Sequence, residues 1–186
     1  MVQQKKIGWT IILLISTLVG SIGIGYWYFY QHSQKKDNIL VFDDTRDTQD
    51  IIDIFTRDRY WLLNSPDYSV EFMLKYRAAT QDIKYLGKLN INVMRSDDSL
   101  IGFVAYYMKK PTKGFLLFLA INPPFRGKGY SSQLVNHALS QLKKMGAHTV
   151  NLVTRTDNIR AQKLYARLGF YEEKRDDGYV YYSKYV

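Results

Sequence analysis

The feature that most constrains this 186-residue chain is an uncharged segment near its N-terminus. Residues 7–30 include none that is charged at neutral pH, and most of them are apolar. As a helix, this segment would be about 36 Å long, enough to cross a hydrocarbon core of about 30 Å with some tilt. Trp9 lies near one end and Trp27 near the other, as is typical of residues at membrane interfaces. We therefore expect residues 1–30 to form an N-terminal tail and one transmembrane helix.

Two other interpretations of this segment fit less well. A cleaved signal peptide would have a shorter apolar region, and the weak cleavage signal at Ser21 and Gly23 is followed by further apolar residues. A helix that is apolar on every face is buried only in the core of a large protein, and one domain of this 186-residue chain is too small for that. Lysines flank the segment on both sides, with a slight excess of positive charge after it, which favours a single-pass protein with a cytoplasmic C-terminal part.

The rest of the chain predicts one domain over residues 39–186, after a polar linker at residues 31–38. Strand and helix patterns alternate there, which is typical of an α/β or α+β fold. Strands are predicted over residues 39–42, 89–94, 100–108, 114–121, 149–154, 170–174 and 179–185. Helices are predicted over residues 48–62, 69–79, 129–146 and 161–168.

Apolar spacing predicts which residues face the core. The unbroken apolar run at 114–121 is expected of a central strand buried on both faces. Helical spacing within 129–146 places six residues inside: Leu134, Val135, Ala138, Leu139, Leu142 and Met145. In the helix at 48–62, Ile51, Ile52, Ile54 and Phe55 are expected to face inward. Asp177-Gly178 predicts a two-residue hairpin turn.

Composition excludes several classes of site. The chain has no cysteine, so it has no disulfide, no thiolate metal site and no cysteine nucleophile. The formal charge of +9 fits either a polyanionic partner or a solvated basic surface with lysines beside the membrane. The basic residues are spread along the chain without a known nucleic-acid motif, so we expect no nucleic-acid partner. We also expect no metal site.

A glycine-bearing turn between the strand at 114–121 and the next helix is the first candidate site. Gly127 and Gly129 allow the backbone to approach an anion at a helix N-terminus, and Arg126 and Lys128 add positive charge. An ordinary strand-to-helix connection is the simpler alternative. A Walker A loop is excluded because Gly129 follows Lys128, and a dinucleotide fingerprint lacks its last glycine, at Ser132.

Two segments carry a family resemblance. Arg126-Gly-Lys-Gly-Tyr-Ser131 resembles the acetyl-CoA pyrophosphate loop of the GNAT superfamily of N-acetyltransferases, [QR]-x-x-G-x-[GA], with Ser131 in place of glycine or alanine. The stretch from Asn158 to Phe170 resembles the second signature of the superfamily, N-x-x-A-x-x-L-Y-x-x-x-G-F, at every marked position. The order and spacing of the two motifs match as well. The resemblance covers residues 39–186 and implies a mixed, mostly antiparallel central sheet flanked by helices.

The resemblance also implies roles for individual residues in acetyl transfer from acetyl-CoA to an amine. Tyr165 would protonate the departing thiolate, and Asn158 would help to hold the pantetheine arm and the helix terminus. The end of the central strand would pair with the pantetheine and offer an N–H to the thioester oxygen, through Leu119, Ala120 and Ile121. Backbone N–H groups would hold the pyrophosphate, and they belong to Arg126, Gly127, Lys128, Gly129, Tyr130 and Ser131.

The proton acceptor and the amine stay open at this point. The central strand has no glutamate, so Asp157, Asp43 or a chain of waters would have to deprotonate the amine. The helical region around residues 57–64 and the tyrosine-rich strand at 179–182 would shape the acceptor cleft. Tyrosines that face solvent are a commoner explanation for that strand, and we assign it no site role.

These observations favour a membrane-anchored N-acetyltransferase with its domain in the cytoplasm, where acetyl-CoA is found. The acceptor would be an amine of a small molecule, a peptide or a protein. A non-catalytic membrane-bound module that binds acyl-CoA is the main alternative. A nucleotide-dependent oxidoreductase, based on Gly127-x-Gly129 alone, is the third.

Overall fold

The computed structural model describes residues 38–63, 65–78, 88–96 and 98–186. Residues Asn38–Val186 form one compact unit. The predicted transmembrane helix at 7–30 lies outside the described residues. In the part of the chain that is described, no helix has the length and apolar character needed to cross a membrane.

The described residues form strands and helices that alternate along the chain. In order, the elements are β1 (Asn38–Val41), α1 (Asp44–Arg57), α2 (Arg59–Leu62), α3 (Val70–Tyr76), β2 (Asn90–Ser96), β3 (Ser99–Lys110), β4 (Lys113–Ile121), a 3₁₀ turn (Pro123–Phe125), α4 (Tyr130–Lys144), β5 (Thr149–Arg155), α5 (Ile159–Arg167), β6 (Tyr171–Asp176) and β7 (Tyr179–Tyr185).

The strands make one mixed sheet in the order β1-β2-β3-β4-β5-β7-β6. Every neighbouring pair is antiparallel except β4 and β5, which are parallel. Adjacent residues of a strand point to opposite faces of the sheet, and Val93 and Met94 of β2 belong to different core clusters. Each face of the sheet therefore has its own core, and helices cover both. One cluster includes α1 and α3, and the other includes α4 and α5. The predicted mixed, mostly antiparallel sheet flanked by helices is confirmed.

The expectation that β4 is buried on both faces is wrong for part of the strand. Buried and half-buried residues alternate along it, and the half-buried Phe115, Leu117 and Ile121 border open cavities. Leu117 is also an extra residue in the pairing with β3, which makes a β-bulge. The bulge places Leu116 in one core cluster and Phe118 in the other.

The helix predicted at 48–62 is two helices with different bounds. It begins earlier, because the Asp43 side chain caps α1 by accepting hydrogen bonds from the N–H groups of Thr45 and Arg46 at 3.1 and 2.9 Å. It ends at Arg57, and Asp58 separates it from the short α2. The inward positions are confirmed: Ile51, Ile54 and Phe55 are buried, and the half-buried Ile52 packs against the same core cluster.

Two other local predictions have opposite outcomes. Met145 was expected in the core, but its side chain is 45% exposed because α4 ends at Lys144 and Gly146 turns the chain with a φ of +95°. The hairpin turn is confirmed: Asp177 and Gly178 both have positive φ, at 47° and 76°, as a type I′ turn requires.

Candidate functional site

The site begins where β4 and β5 separate. Only three residues of each strand are paired, and the last pair is Phe115 with Asn151. Beyond it, no described residue of β5 pairs with β4, so a gap opens between the two strands. The N–H of Asn122 donates to the Ile101 carbonyl on the β3 side at 2.8 Å. Amides alternate between the two edges of a strand, so the N–H groups of Leu119 and Ile121 point to the gap.

A cavity of about 420 Å³ opens beside this gap, and we call it the turn cavity. It is formed by the end of β4, the glycine turn at residues 126–131, the first residues of α5 and the end of α2. The sequence-predicted residues along its wall are Ala120, Ile121, Arg126, Ser131 and Asn158. The fold therefore brings together segments of both sequence motifs at the open end of β4.

The backbone of the glycine turn is accessible. Gly127 and Gly129 have φ values of +83° and +86°, and a Cβ added at either would meet no atom within 4 Å. Gly129 is the N-cap of α4, and the first helical hydrogen bond runs from the N–H of Ser132 to its carbonyl at 3.0 Å. The preceding amides therefore lie at the open helix end, where an anion binds most readily.

The two cations of the glycine turn have different surroundings. The Arg126 guanidinium donates to the Ile121 carbonyl and to the Asp58 carboxylate, both at 2.7 Å, and its N–H donates to the Pro123 carbonyl at 3.2 Å. Lys128 is exposed, with its ammonium 5.7 Å from the centre of the Phe125 ring. The Arg126 side chain thus binds the turn to the end of β4. The Lys128 side chain, in contrast, is exposed to solvent.

Asn158 and Tyr165 lie at the two ends of the same short helix. Asn158 is the N-cap of α5 and accepts a hydrogen bond from the Ala161 N–H at 3.1 Å. Tyr165 is buried, with its ring centre 5.7 Å from that of Phe170 and 6.0 Å from that of Tyr182. Burial raises the pKa of Tyr165 far above its usual value, so the hydroxyl stays protonated.

A second cavity, of about 610 Å³, shares Trp61 and Leu62 of α2 with the turn cavity, and we call it the aromatic cavity. Its walls include Trp61, Tyr68, Phe115, Phe118, Tyr179 and Tyr181, and its charged residues are Asp67, Arg155 and Asp177. The sequence assigned no site role to the tyrosines of β7. Tyr179 and Tyr181 nevertheless border this cavity, whereas Tyr182 is buried in the core.

Of the two carboxylates considered for the amine proton, only Asp157 is at the site. Asp157 borders the turn cavity and accepts a hydrogen bond from the Tyr60 hydroxyl at 2.6 Å. This hydrogen bond raises the pKa of Tyr60. Asp43 is occupied in capping α1, at the other end of that helix from α2.

Three further site residues had no individual role assigned from the sequence, although two of them lie in the segment at 57–64 that was expected to shape the acceptor cleft. They are Asp58, Tyr60 and Arg155, whose hydrogen bonds join segments far apart in the chain. Tyr60 and Arg155 are 95 positions apart, and Asp58 and Arg126 are 68 apart. No local pattern indicates such a pair, so only the folded arrangement identifies them.

Comparison with known proteins agrees with this geometry. A model described as the acetyltransferase (GNAT) family matches residues 48–170. Over 63 residues the chain is 37% identical to N-alpha-acetyltransferase MAK3 from Arabidopsis thaliana, covering 34% of this chain and 33% of that protein. Over 55 residues it is 40% identical to the [ribosomal protein bS18]-alanine N-acetyltransferase of Haemophilus ducreyi, covering 30% and 38%. The chain thus spans well under two thirds of the length of these curated relatives.

Solved structures share the fold at low sequence identity. Ard1 from Thermoplasma volcanium has a TM-score of 0.63 at 20% identity, covering 80% of this chain and 97% of that one. A Bacillus subtilis acetyltransferase in complex with CoA has a TM-score of 0.60 at 19% identity, covering 81% and 99%.

Proposed function

Since the chain belongs to the GNAT acetyltransferase family, we propose that it is a membrane-anchored N-acetyltransferase that moves an acetyl group from acetyl-CoA to an amine. The divergence of β4 and β5 carries this proposal. The resulting gap adjoins two cavities, and Trp61 and Leu62 border both. Direct transfer between two substrates requires two binding sites that meet in this way.

Acetyl-CoA fits the side of the gap that holds the glycine turn. The accessible backbone at Gly127 and Gly129 suits the pyrophosphate, with Lys128 as the nearby exposed cation. The pantetheine arm carries amide groups that match the unpaired edge of β4. An N–H at Leu119 or Ile121 would then stabilise the negative charge that develops on the thioester oxygen.

In the transfer step, the neutral amine attacks the carbonyl carbon of the thioester. The new C–N bond forms as the C–S bond breaks, and the amine loses one proton while the thiolate gains one. Tyr165, which stays protonated, is the proposed proton donor to the thiolate. Asp157 is the proposed acceptor of the amine proton, which its position at the turn cavity and its hydrogen bond from Tyr60 support.

The aromatic cavity favours an amine that carries an apolar group. Its walls are largely aromatic, and Asp67 and Asp177 provide negative charge in a chain whose formal charge is +9. Two relatives are named for acetylating an α-amine and an alanine of a ribosomal protein. Peptides with an apolar N-terminal residue are therefore the first acceptors to test.

The uncharged segment at 7–30 supports a membrane anchor with the domain on the cytoplasmic side. Acetyl-CoA is a cytosolic metabolite, so this orientation supplies the donor. Protease treatment of intact cells is expected to leave the C-terminal domain uncut. Cleavage of the domain from outside the cell would contradict the proposed orientation.

Acetyl-CoA binding to the full-length chain in detergent, measured by calorimetry, tests the donor site. Wild type is expected to bind saturably. Gly129→Glu is expected to lose binding, because it places a carboxylate and a strained backbone at the pyrophosphate position. Gly129→Ala has the same strain without the charge, and Ser140→Glu adds a charge to α4 away from the turn. Absence of binding by a folded wild type would contradict the proposal.

Acetyl transfer by the wild type is then measured on a panel of peptides and small amines. Binding of acetyl-CoA with transfer to at least one amine is the expected result. Binding without transfer to any amine would favour the alternative, a membrane-bound module that binds acyl-CoA without catalysis.

A further inference from the structure

The short helix α2 lies at the junction of the two cavities, and only its last residue, Leu62, packs against the core. We call residues 58–63 the strap. None of the four residues of α2 is buried, and the side chains of Tyr60 and Trp61 are 54% and 47% exposed. Apolar burial holds only the C-terminal end of the strap, where Leu62 packs against the core and Leu63 is buried in it, so polar contacts must set the position of the rest.

On one side the strap is tied to β4. Asp58 accepts a hydrogen bond from Arg126, whose guanidinium also donates to the carbonyl of Ile121, the last residue of β4. Just before the strap, Arg57 donates to the Asn122 side chain at 2.9 Å. These hydrogen bonds thus connect the first half of the strap to the end of β4 and to the glycine turn.

On the other side the strap is tied to β5, mainly by Arg155. The Arg155 guanidinium donates to the carbonyls of Tyr60 at 2.7 Å and Leu63 at 3.1 Å. It also lies 4.3 Å from the centre of the Tyr60 ring and 5.4 Å from that of Tyr179. Within the described ranges no carboxylate forms an ion pair with it, so its contacts are to the strap and to aromatic rings. The hydrogen bond from the Tyr60 hydroxyl to the Asp157 carboxylate is a second contact on this side of the strap.

The two sets of contacts span the gap, because β4 and β5 are the strands that diverge. Trp61 and Leu62, in the middle of the strap, border both cavities. We infer that Arg155 is a positioning residue for acetyl transfer: it holds the strap across the gap, so that the amine is aligned with the thioester. This inference rests on the proposed function, and it concerns alignment of the acceptor rather than binding of the donor.

The guanidinium is suited to this role. Its planar fork donates to two carbonyls at once while its face stacks on an aromatic ring, which an ammonium does not reproduce. Arg155→Lys therefore keeps the charge and removes the geometry. A misplacement of about 1 Å at a reacting centre lowers the rate by up to about 100-fold.

The test compares the full-length wild type with Arg155→Lys, Tyr60→Phe and the control Arg167→Lys, which changes an exposed arginine at the end of α5. Hydrogen exchange is followed at the N–H groups of Trp61, Leu62 and Leu63, which bond to carbonyls within the strap. In Arg155→Lys these amides are expected to exchange about 10-fold faster. The acceptor kcat/KM is expected to fall about 10- to 100-fold, with the acetyl-CoA Kd changed less than about 3-fold.

Tyr60→Phe removes only the bond to Asp157 and is expected to lower the acceptor kcat/KM about 3-fold. Because Tyr60 is largely exposed, this variant keeps the core intact even if Arg155→Lys fails to fold. The inference would be overturned if the strap amides of a folded Arg155→Lys variant exchanged hydrogen at the wild-type rate. It would also be overturned if they exchanged faster while the acceptor kcat/KM stayed unchanged. An equal loss of donor binding and acceptor turnover would also overturn it. A wild type that transfers to no amine would overturn the proposed function and with it the alignment role of Arg155, whereas the exchange measurement still decides separately whether Arg155 holds the strap.

Discussion

The two sides of the gap are built in different ways. The glycine turn is one contiguous segment, and its open backbone depends on Gly127 and Gly129 themselves. The aromatic cavity combines three distant segments: the strap and the loop after it, β4, and the β5–β7 region. Its parts are held by long-range contacts such as that of Arg155 with Tyr60. The glycine turn is a contiguous part of the turn cavity and leaves a sequence signature, whereas the contacts that join distant segments in either cavity do not.

This difference has a functional consequence. The relatives differ in the acceptors for which they are named, an α-amine in one case and an alanine of a ribosomal protein in another. If the glycine turn binds the donor and the aromatic cavity binds the acceptor, as proposed, substitutions in the cavity would alter acceptor binding without altering donor binding. The predictions below test whether the two sides are separable in this way.

The largest expected effect is on Tyr165, which belongs to the second motif yet lies in the core. Tyr165→Phe keeps the ring contacts to Phe170 and Tyr182 and removes the proton donor. We expect kcat to fall about 100- to 1000-fold while the acetyl-CoA Kd stays unchanged. Tyr182→Phe, at the neighbouring ring, is the control for loss of a hydroxyl. Equal kcat values for the two variants would show that Tyr165 acts in packing alone.

The next largest effect is expected on the free energy of unfolding, from a substitution of Asp47 in the first turn of α1. Asp47 is fully buried and bonds to Arg46 and Arg95 at 2.7 and 2.8 Å. Asp47→Asn is expected to lower the free energy of unfolding by about 3 kcal/mol, because it leaves Arg95 without its buried partner. Urea denaturation measures this change, with the exposed Asp53→Asn as the control. A loss no larger than in the control would contradict a role for this pair in holding α1.

The pH dependence of that loss follows from the pKa of Asp47. Burial raises this pKa, but the hydrogen bonds from Arg46 and from the Asp43 N–H outweigh burial, and the net pKa is lowered. A lowered pKa in the folded state stabilises the fold above the unfolded value, near 3.9, and this stabilisation disappears as the pH falls towards the folded value. The difference between wild type and Asp47→Asn is therefore expected to shrink below about pH 4. A difference that stays constant on acidification would contradict this assignment.

A smaller effect is expected at the aromatic cavity. Tyr181→Ala removes one wall on β7 and is expected to raise the acceptor KM about 10-fold without changing the acetyl-CoA Kd. Steady-state kinetics with both substrates varied measure the two values separately. A parallel rise in both would show that the two sides of the gap are not separable.

The smallest effect is expected on the donor side. Gly127→Ala has space for its methyl group but strains a residue with a φ of +83°. We expect the acetyl-CoA Kd to rise about 3- to 5-fold, from strain of about 1 kcal/mol, with the acceptor KM unchanged. Calorimetry measures the former and kinetics the latter. Weaker acceptor binding with normal donor binding would reverse the comparison.

Much of the fold was predictable because the signals are local. The strands predicted at 149–154 and 179–185 agree with β5 and β7 to within one residue, and Asp177-Gly178 predicted the turn before β7. The start of α1 was missed because its first turn is polar and is fixed by the Asp43 cap. Met145 was placed inside because helical spacing does not show where the helix ends.

The sequence by itself determined the positions that act through their own backbone or near neighbours. Gly127 and Gly129 adopt positive φ, and Asn158 caps a helix only three residues from its partner. The tertiary structure alone decided where β4 leaves β5, which face each residue of β4 shows after the bulge at Leu117, and which side chains cross the gap. Those features depend on strand register and on contacts between residues tens of positions apart. Local spacing carries no information about such pairs, because their energy exists only once the chain has folded.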